Sequence, residues 1–336
     1  MPSGVDFKPR SLLRSVAVLA SALVLTTTAL AADKWRAYTY NTTATVTANV
    51  GLLELFDKIK QETNGELEVE LFLGGTLPIN AADITASVGD NIVQFGDDAF
   101  FTGNVPVGNL VRMPFMINTL DEYKAMEAFV WPHLEAAYAK KGVVLLGQYT
   151  YAPAVFFSKK EVRSVEDLKG LKIRSASAEQ AAIIQRFGGV PVTIATPEVA
   201  EAVDRGVIDA AMTVSGTAAN LWADTFAYRY QLQISYTNAP LIASQEAFDA
   251  LAPETQETVR RLTREAGVWI TDTLASQEDQ MTQKLVDEHG LVNTVADEAT
   301  VAGLQASMPD FWVDWAKAQG PEMEALLAEM RKQLGR

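Results

Sequence analysis

A chain of 336 residues with 48% apolar composition can bury a large core, so disorder is excluded as its default state. It contains no Cys, which removes disulfides, thiolate metal sites and cysteine nucleophiles. With 28 basic against 42 acidic residues the net charge is −14, which argues against nucleic acid or anionic lipid as the main partner. An anionic ligand remains compatible, because one buried Arg dominates its local field while surface charges are screened.

At the N-terminus, Lys8, Arg10 and Arg14 precede the apolar run Ser15 to Leu30, which ends in the small-x-small pattern Ala29-Leu30-Ala31. The run is short of the ~20 mainly apolar residues that span a bilayer. Residues 1–31 are therefore expected to be a signal peptide cleaved near Ala31, and no following Cys offers a lipid anchor. Without this leader the net charge becomes about −16.

Two passes of strand and helix pattern follow. In the first, residues 35–40 read as a strand and 45–63 as a helix with Val50, Leu53, Phe56 and Ile59 at three-residue steps, stopped by Asn64-Gly65. Residues 66–73 alternate as a strand, 81–89 read as a helix, 92–95 as a strand, 120–141 as a helix and 143–148 as a buried strand. This is the rhythm of an α/β domain. The second pass places strands at 154–157, 171–174, 190–194 and 208–213, with helices at 178–187 and 197–205. Residues 253–289 then keep a helical period interrupted only by Gly267, where a kink is expected. At 1.5 Å per residue, about 37 residues reach about 50 Å, longer than one such domain is wide. The helix should therefore lie across two lobes. The lobes are expected at 32–150 plus about 237–275, and at 151–236 plus about 276–336.

Catalytic and metal-binding patterns are missing. His133 and His289 have no His or paired carboxylate at metal-ligand spacing, and no GxSxG, GxGxxG or P-loop occurs. Asp97 and Asp98 are adjacent on a strand, so they point to opposite faces and cannot work jointly. Neither cofactor nor metal is expected, and the chain does not read as an enzyme.

The second pass carries the specific signal. Ser164-Val165-Glu166-Asp167-Leu168-Lys169-Gly170-Leu171-Lys172-Ile173-Arg174 resembles the "s-x-x-DLkGlKiR" segment of the DctP-type solute receptors of TRAP transporters. Gly188-Gly189-Val190-Pro191-Val192, Glu198-Val199 and Asp204 to Ala210 are similar to that family's "lGa-x-pv", "sEvy" and "lqxGvvDg". Thr63 to Leu67, Gly75-Thr76-Leu77, Val111 to Phe115 and Gln245 to Leu251 resemble further family segments in the same order.

The resemblance implies a two-lobed periplasmic binding protein fold, type II-like, with crossing strands and a long helix spanning both lobes. It implies capture of a small organic acid by hinge closure and delivery to TRAP membrane subunits, powered by an ion gradient. Arg174 holds the position of the family's carboxylate clamp, a role for which a planar guanidinium is suited and Lys is not. Thr213 stands where the family usually offers an Asn, and a second Arg found in some members is replaced near Ala154, which disfavours a second charged carboxylate. The rest of the pocket is expected from Asn41, Asp98, Phe101, Thr102, Tyr149, Tyr151 and Trp222. These aromatics with a single Arg favour a monocarboxylate with an aromatic or sugar body, and Asp98 favours a hydroxylated or amino-bearing one. A monomer in the periplasm is expected. A receptor feeding a sensor kinase, or an exported enzyme acting on a small acid, stand as alternatives.

Overall fold

The computed structural model describes residues 33–336, and the expected signal peptide lies outside the described residues. The first pass yields β1 (Asp33–Thr39), α1 (Thr47–Glu62), β2 (Leu67–Phe72), α2 (Ile84–Gly89), β3 (Phe95–Asp97), α3 (Leu120–Ala139) and β4 (Val143–Tyr151). The second yields β5 (Val155–Ser158), β6 (Lys172–Ser175), α4 (Ala178–Arg186), β7 (Val190–Thr193), α5 (Val199–Asp204), β8 (Ala210–Thr213), α6 (Ser215–Leu221) and β9 (Tyr228–Gln231). The chain continues through β10 (Thr237–Ser244), α7 (Gln245–Asp249), α8 (Pro253–His289), β11 (Val292–Val295), α9 (Glu298–Ala306), α10 (Pro309–Gln319) and α11 (Pro321–Leu334).

These strands form two mixed sheets, ordered β2-β1-β3-β10-β4 and β11-β9-β5-β8-β6-β7. The chain passes from one sheet to the other between β4 and β5 and returns between β9 and β10. Helix α8 makes the third link. It packs on α1 and β4 of the first lobe and on α6 and β11 of the second. A continuous apolar core also runs from one sheet to the other, joining Tyr38 and Ile242 to Phe156, Ile173 and Tyr230. At its centre Phe115 adopts a positive φ of 56°, its amide bonded to the Ile234 carbonyl at 2.7 Å. Trp312 of α10 closes this region, its indole N–H donating to the Pro114 carbonyl at 2.9 Å.

Two local expectations are corrected. In α1 the buried side is Ala48, Leu52, Leu55, Phe56 and Ile59, whereas Val50 and Leu53 are each 43% exposed. A turn takes about 3.6 residues, so uniform three-residue steps walk off the buried face. Strand β3 begins three residues later than expected, at Phe95, and leaves Ile92 half exposed. That shift puts Asp97 at the strand's end. Helix α8 occupies the expected residues and continues through Gly267. That glycine serves a close approach, since a Cβ there would stand 2.2 Å from the Gln148 carbonyl oxygen of β4. Among the described residues, no helix is long and apolar enough to cross a membrane.

Candidate functional site

Between the two sheets lies a cavity of about 540 Å³ whose wall includes Tyr40, Arg112, Tyr151, Arg174 and Thr213. Arg174 reaches it from β6, a strand held in parallel register between β7 and β8, with Arg174 opposite Val192 and Ala211. Its side chain is fixed from three directions. Nε donates to the Ile194 carbonyl at 3.1 Å, Nη2 to Thr196 Oγ1 at 3.2 Å, and Nη1 more weakly to the Met212 carbonyl at 3.4 Å. The guanidinium also lies 5.8 Å from the centre of the Trp222 ring. Among the described residues no carboxylate pairs with it, although the residue is only 3% exposed. Burial lowers its pKa to about 10, which still leaves it cationic at neutral pH. Five N–H donors with three engaged leave two for an incoming acceptor.

On the first lobe's side, a chain of hydroxyls runs back to Asp97. Tyr151 stands 2.6 Å from the hydroxyl of Tyr40 and 3.4 Å from that of Tyr149. Tyr149 donates to Asp97 Oδ1 at 3.0 Å, and Thr39 donates to Oδ2 at 2.7 Å. Asp98 turns to the other face of the strand, where its Oδ2 accepts from Thr85 at 2.5 Å and Tyr138 at 3.2 Å. Burial is the main cause that raises both carboxyls, Asp97 to about 6 and Asp98 to about 7. The unfolded value is about 3.9, so between about pH 4 and 7 the native state holds more protons than the unfolded chain. The stability this contributes is complete below about pH 4 and is lost as pH rises through 6 to 7. The thermal midpoint should therefore fall between pH 5 and pH 8 by a smaller amount in Asp98→Asn than in the wild type. Identical pH dependence in melts of the two proteins would contradict this assignment.

The sequence profile of the bacterial extracellular solute-binding proteins, family 7 (DctP), matches residues 39–318. The chain belongs to that family. The 2,3-diketo-L-gulonate-binding periplasmic protein of Escherichia coli (strain K12) is 30% identical over 287 residues, 82% of this chain and 85% of that protein. An extracytoplasmic solute receptor of Bordetella pertussis binding pyroglutamic acid superposes with a TM-score of 0.82 at 25% identity, covering 89% of this chain and 100% of that one. A TRAP periplasmic solute-binding protein of Sulfitobacter sp. NAS-14.1 with bound β-D-galacturonate gives a TM-score of 0.80 at 22% identity, with 89% and 100% covered. The fold is thus the two-lobed α/β architecture of the TRAP solute-binding proteins.

Within this family-7 protein the residues singled out from sequence fall into two groups. Arg174, Thr213 and Tyr151 line the cavity between the sheets. Asn41 lines an adjoining cavity of about 560 Å³, which shares Tyr151, Val214 and Thr217 with the first. The others stand behind the wall. Asp98 is committed to Thr85 and Tyr138, Phe101 is fully buried beneath Arg112, and Thr102 is buried beside it. Tyr149 is occupied by Asp97, and Trp222 forms the shelf under Arg174.

Conversely, the structure brings Tyr40, Phe100, Arg112, Gln180 and Thr196 to the wall of this solute-binding protein. Arg112 was legible as a lone charge inside the apolar run Val111-Arg112-Met113-Pro114-Phe115, but that run reads first as core. The expectation of a single Arg at the site is therefore corrected. Ala154 does line the cavity, and Arg112 reaches the same space from the first lobe. No group of three or more His, Asp or Glu gathers to hold a metal among the described residues.

Proposed function

We propose that the protein, after export to the periplasm, captures a small organic acid by clamping its carboxylate on Arg174. It then delivers the acid to TRAP membrane subunits whose transport is driven by an ion gradient. The observation that carries this reading is the buried Arg174 guanidinium, which faces a cavity with donors to spare and has no acid of its own among the described residues. A carboxylate accepts two parallel N–H bonds from such a fork, and the surrounding low dielectric strengthens them. Thr213 and Thr196 add hydroxyls beside the clamp.

The two strand crossings and α8 act as the hinge. A ligand that touches both lobes has higher affinity for the closed form and so shifts the population toward it. The cycle needs no bond-making chemistry, which fits a carrier without cofactor or metal that works as a monomer. Relatives bind pyroglutamate, uronates or 2,3-diketo-L-gulonate, each a carboxylate on a compact oxygenated body. The hydroxyl-rich wall here supports the same class, with a sugar acid ahead of a purely aromatic one.

Thermal-shift screening of a panel of organic acids tests the reading. An acid at 100-fold above its Kd adds about 2.7 kcal/mol to the stability of the folded state, which raises the midpoint by several degrees. A panel in which no acid stabilises the protein would overturn the proposal.

A further inference from the structure

Arg112 is a second buried cation at the same cavity, and its setting is as deliberate as that of Arg174. It projects from the end of the 3-10 helix Pro106–Arg112 and is 9% exposed. Nε donates to Asn238 Oδ1 at 2.7 Å, and Nη2 donates to the Ala99 carbonyl at 2.9 Å and to the Asn238 carbonyl. Asn238 is itself oriented, since its amide N–H donates to Gln148 Oε1 at 2.9 Å. The Phe101 ring supports the guanidinium from 4.8 Å. Nη1 makes no hydrogen bond to the protein among the described residues.

Each of these two cations is expensive to bury without a bonded counter-charge. Asp98 acts on Arg112 through space, and so does Glu179. Glu179 faces Arg112 across a smaller recess of about 280 Å³, which shares Ser177, Gln180 and Thr237 with the main cavity. It forms no ion pair with Arg112, and its Oε2 is buried without a hydrogen bond. The cation is therefore held in place by neutral partners, with no acid bonded to it among the described residues.

We infer that Arg112 is a specificity-determining residue that binds a second oxygen acceptor of the ligand, a carbonyl or a carboxylate, at the end opposite the Arg174 clamp. The inference rests on the proposed capture of an acid at Arg174 and narrows its class to acids with an acceptor at both ends. Because Arg112 belongs to the first lobe and Arg174 to the second, such a ligand ties the lobes together. An acid with only one acceptor leaves Nη1 of Arg112 unsatisfied when the cleft closes.

Calorimetric titration with three acids of equal chain length separates the cases: pentanoate, 4-oxopentanoate and glutarate. The wild type should bind at least one of the latter two about tenfold or more tightly than pentanoate. Arg112→Gln should erase that advantage, weakening the favoured acid about tenfold more than pentanoate, and Arg112→Lys should retain part of it. Glu179→Gln should tighten glutarate most, because it removes a competing negative charge. Equal affinity of the wild type for all three acids, or an equal loss for all three in Arg112→Gln, would overturn the inference. The wild-type comparison decides the matter even if Arg112→Gln fails to fold. Where a broad panel yields an acid whose binding depends on Arg174 and this series shows no discrimination, the inference about Arg112 falls and the capture reading stands.

Discussion

Replacing Arg174 by Ala should weaken binding of the captured acid by about 2–5 kcal/mol, roughly 30-fold to several thousand-fold. The carboxylate would then sit in a partly dry site with Thr213 and Thr196 hydroxyls but without the two-pronged cation that faced it. The effect on the empty protein should be small and of either sign. The substitution removes a buried charge that has no acid partner, but also three bonds to Ile194, Met212 and Thr196. Arg174→Lys keeps the charge and loses the two-pronged geometry, so it should fall between the two. Calorimetry of ligand binding together with melts of the ligand-free proteins checks the pair of expectations. Unchanged affinity in Arg174→Ala would contradict the clamp.

The second large effect is structural. Gly267→Ala should destabilise the protein by about 2–3 kcal/mol or more, even though Ala favours a helix interior over Gly by about 1 kcal/mol. The reason is a backbone-on-backbone contact between α8 and β4. A Cβ at Gly267 would lie 2.2 Å from the Gln148 carbonyl oxygen, and one at Gly147 would lie 2.9 Å from the Thr263 carbonyl oxygen. Neither neighbour is a side chain that can rotate away, so the helix must lift from the strand. Gly303→Ala, on an exposed part of α9 with no atom within 4 Å of the new Cβ, is the control and should be neutral or stabilising. Equal melting behaviour of the two variants would contradict the account of α8. Because α8 links both lobes, Gly267→Ala should also weaken ligand binding.

Much of this architecture was legible because its signals are periodic or ordered. Helix α8 declared itself through 37 residues of helical pattern. The run from Ser164 to Arg174 is consecutive, so no register error intervenes between the motif and the end of β6, where Arg174 lines the cavity. Elements with mixed patterns were missed. β9 carries Arg229 within Tyr228–Gln231, where it pairs with Glu278 at 3.1 Å and bonds Ser215 at 2.9 Å, a partnership that only the fold creates. β10 contains Pro240, an ordinary argument against a central strand. The strand accommodates it next to a register shift between Leu241 and Ile242.

At the site the errors came from facing. Asp97 and Asp98 were correctly read as opposed, yet neither face of β3 delivers a carboxylate to the main cavity: one meets Thr39 and Tyr149, the other Thr85 and Tyr138. Phe101 and Trp222 do not line the cavity, and each lies under an arginine that does. Side-chain type identifies what can bind, whereas the wall of a cleft between two lobes is decided by contacts that sequence spacing does not encode. Arg112 shows the same limit from the other side. Its apolar neighbours disguise a cation that the fold turns toward the cavity.

The most direct test of the central claim leaves the protein unchanged and alters the ligand. The best-binding acid and its primary amide, nearly equal in shape but differing in charge, are titrated against the wild type by calorimetry. The clamp predicts that the acid binds at least about 100-fold more tightly, since a neutral amide forfeits both the charge and one of the two acceptors offered to Arg174. Equal affinity for the acid and the amide would contradict it.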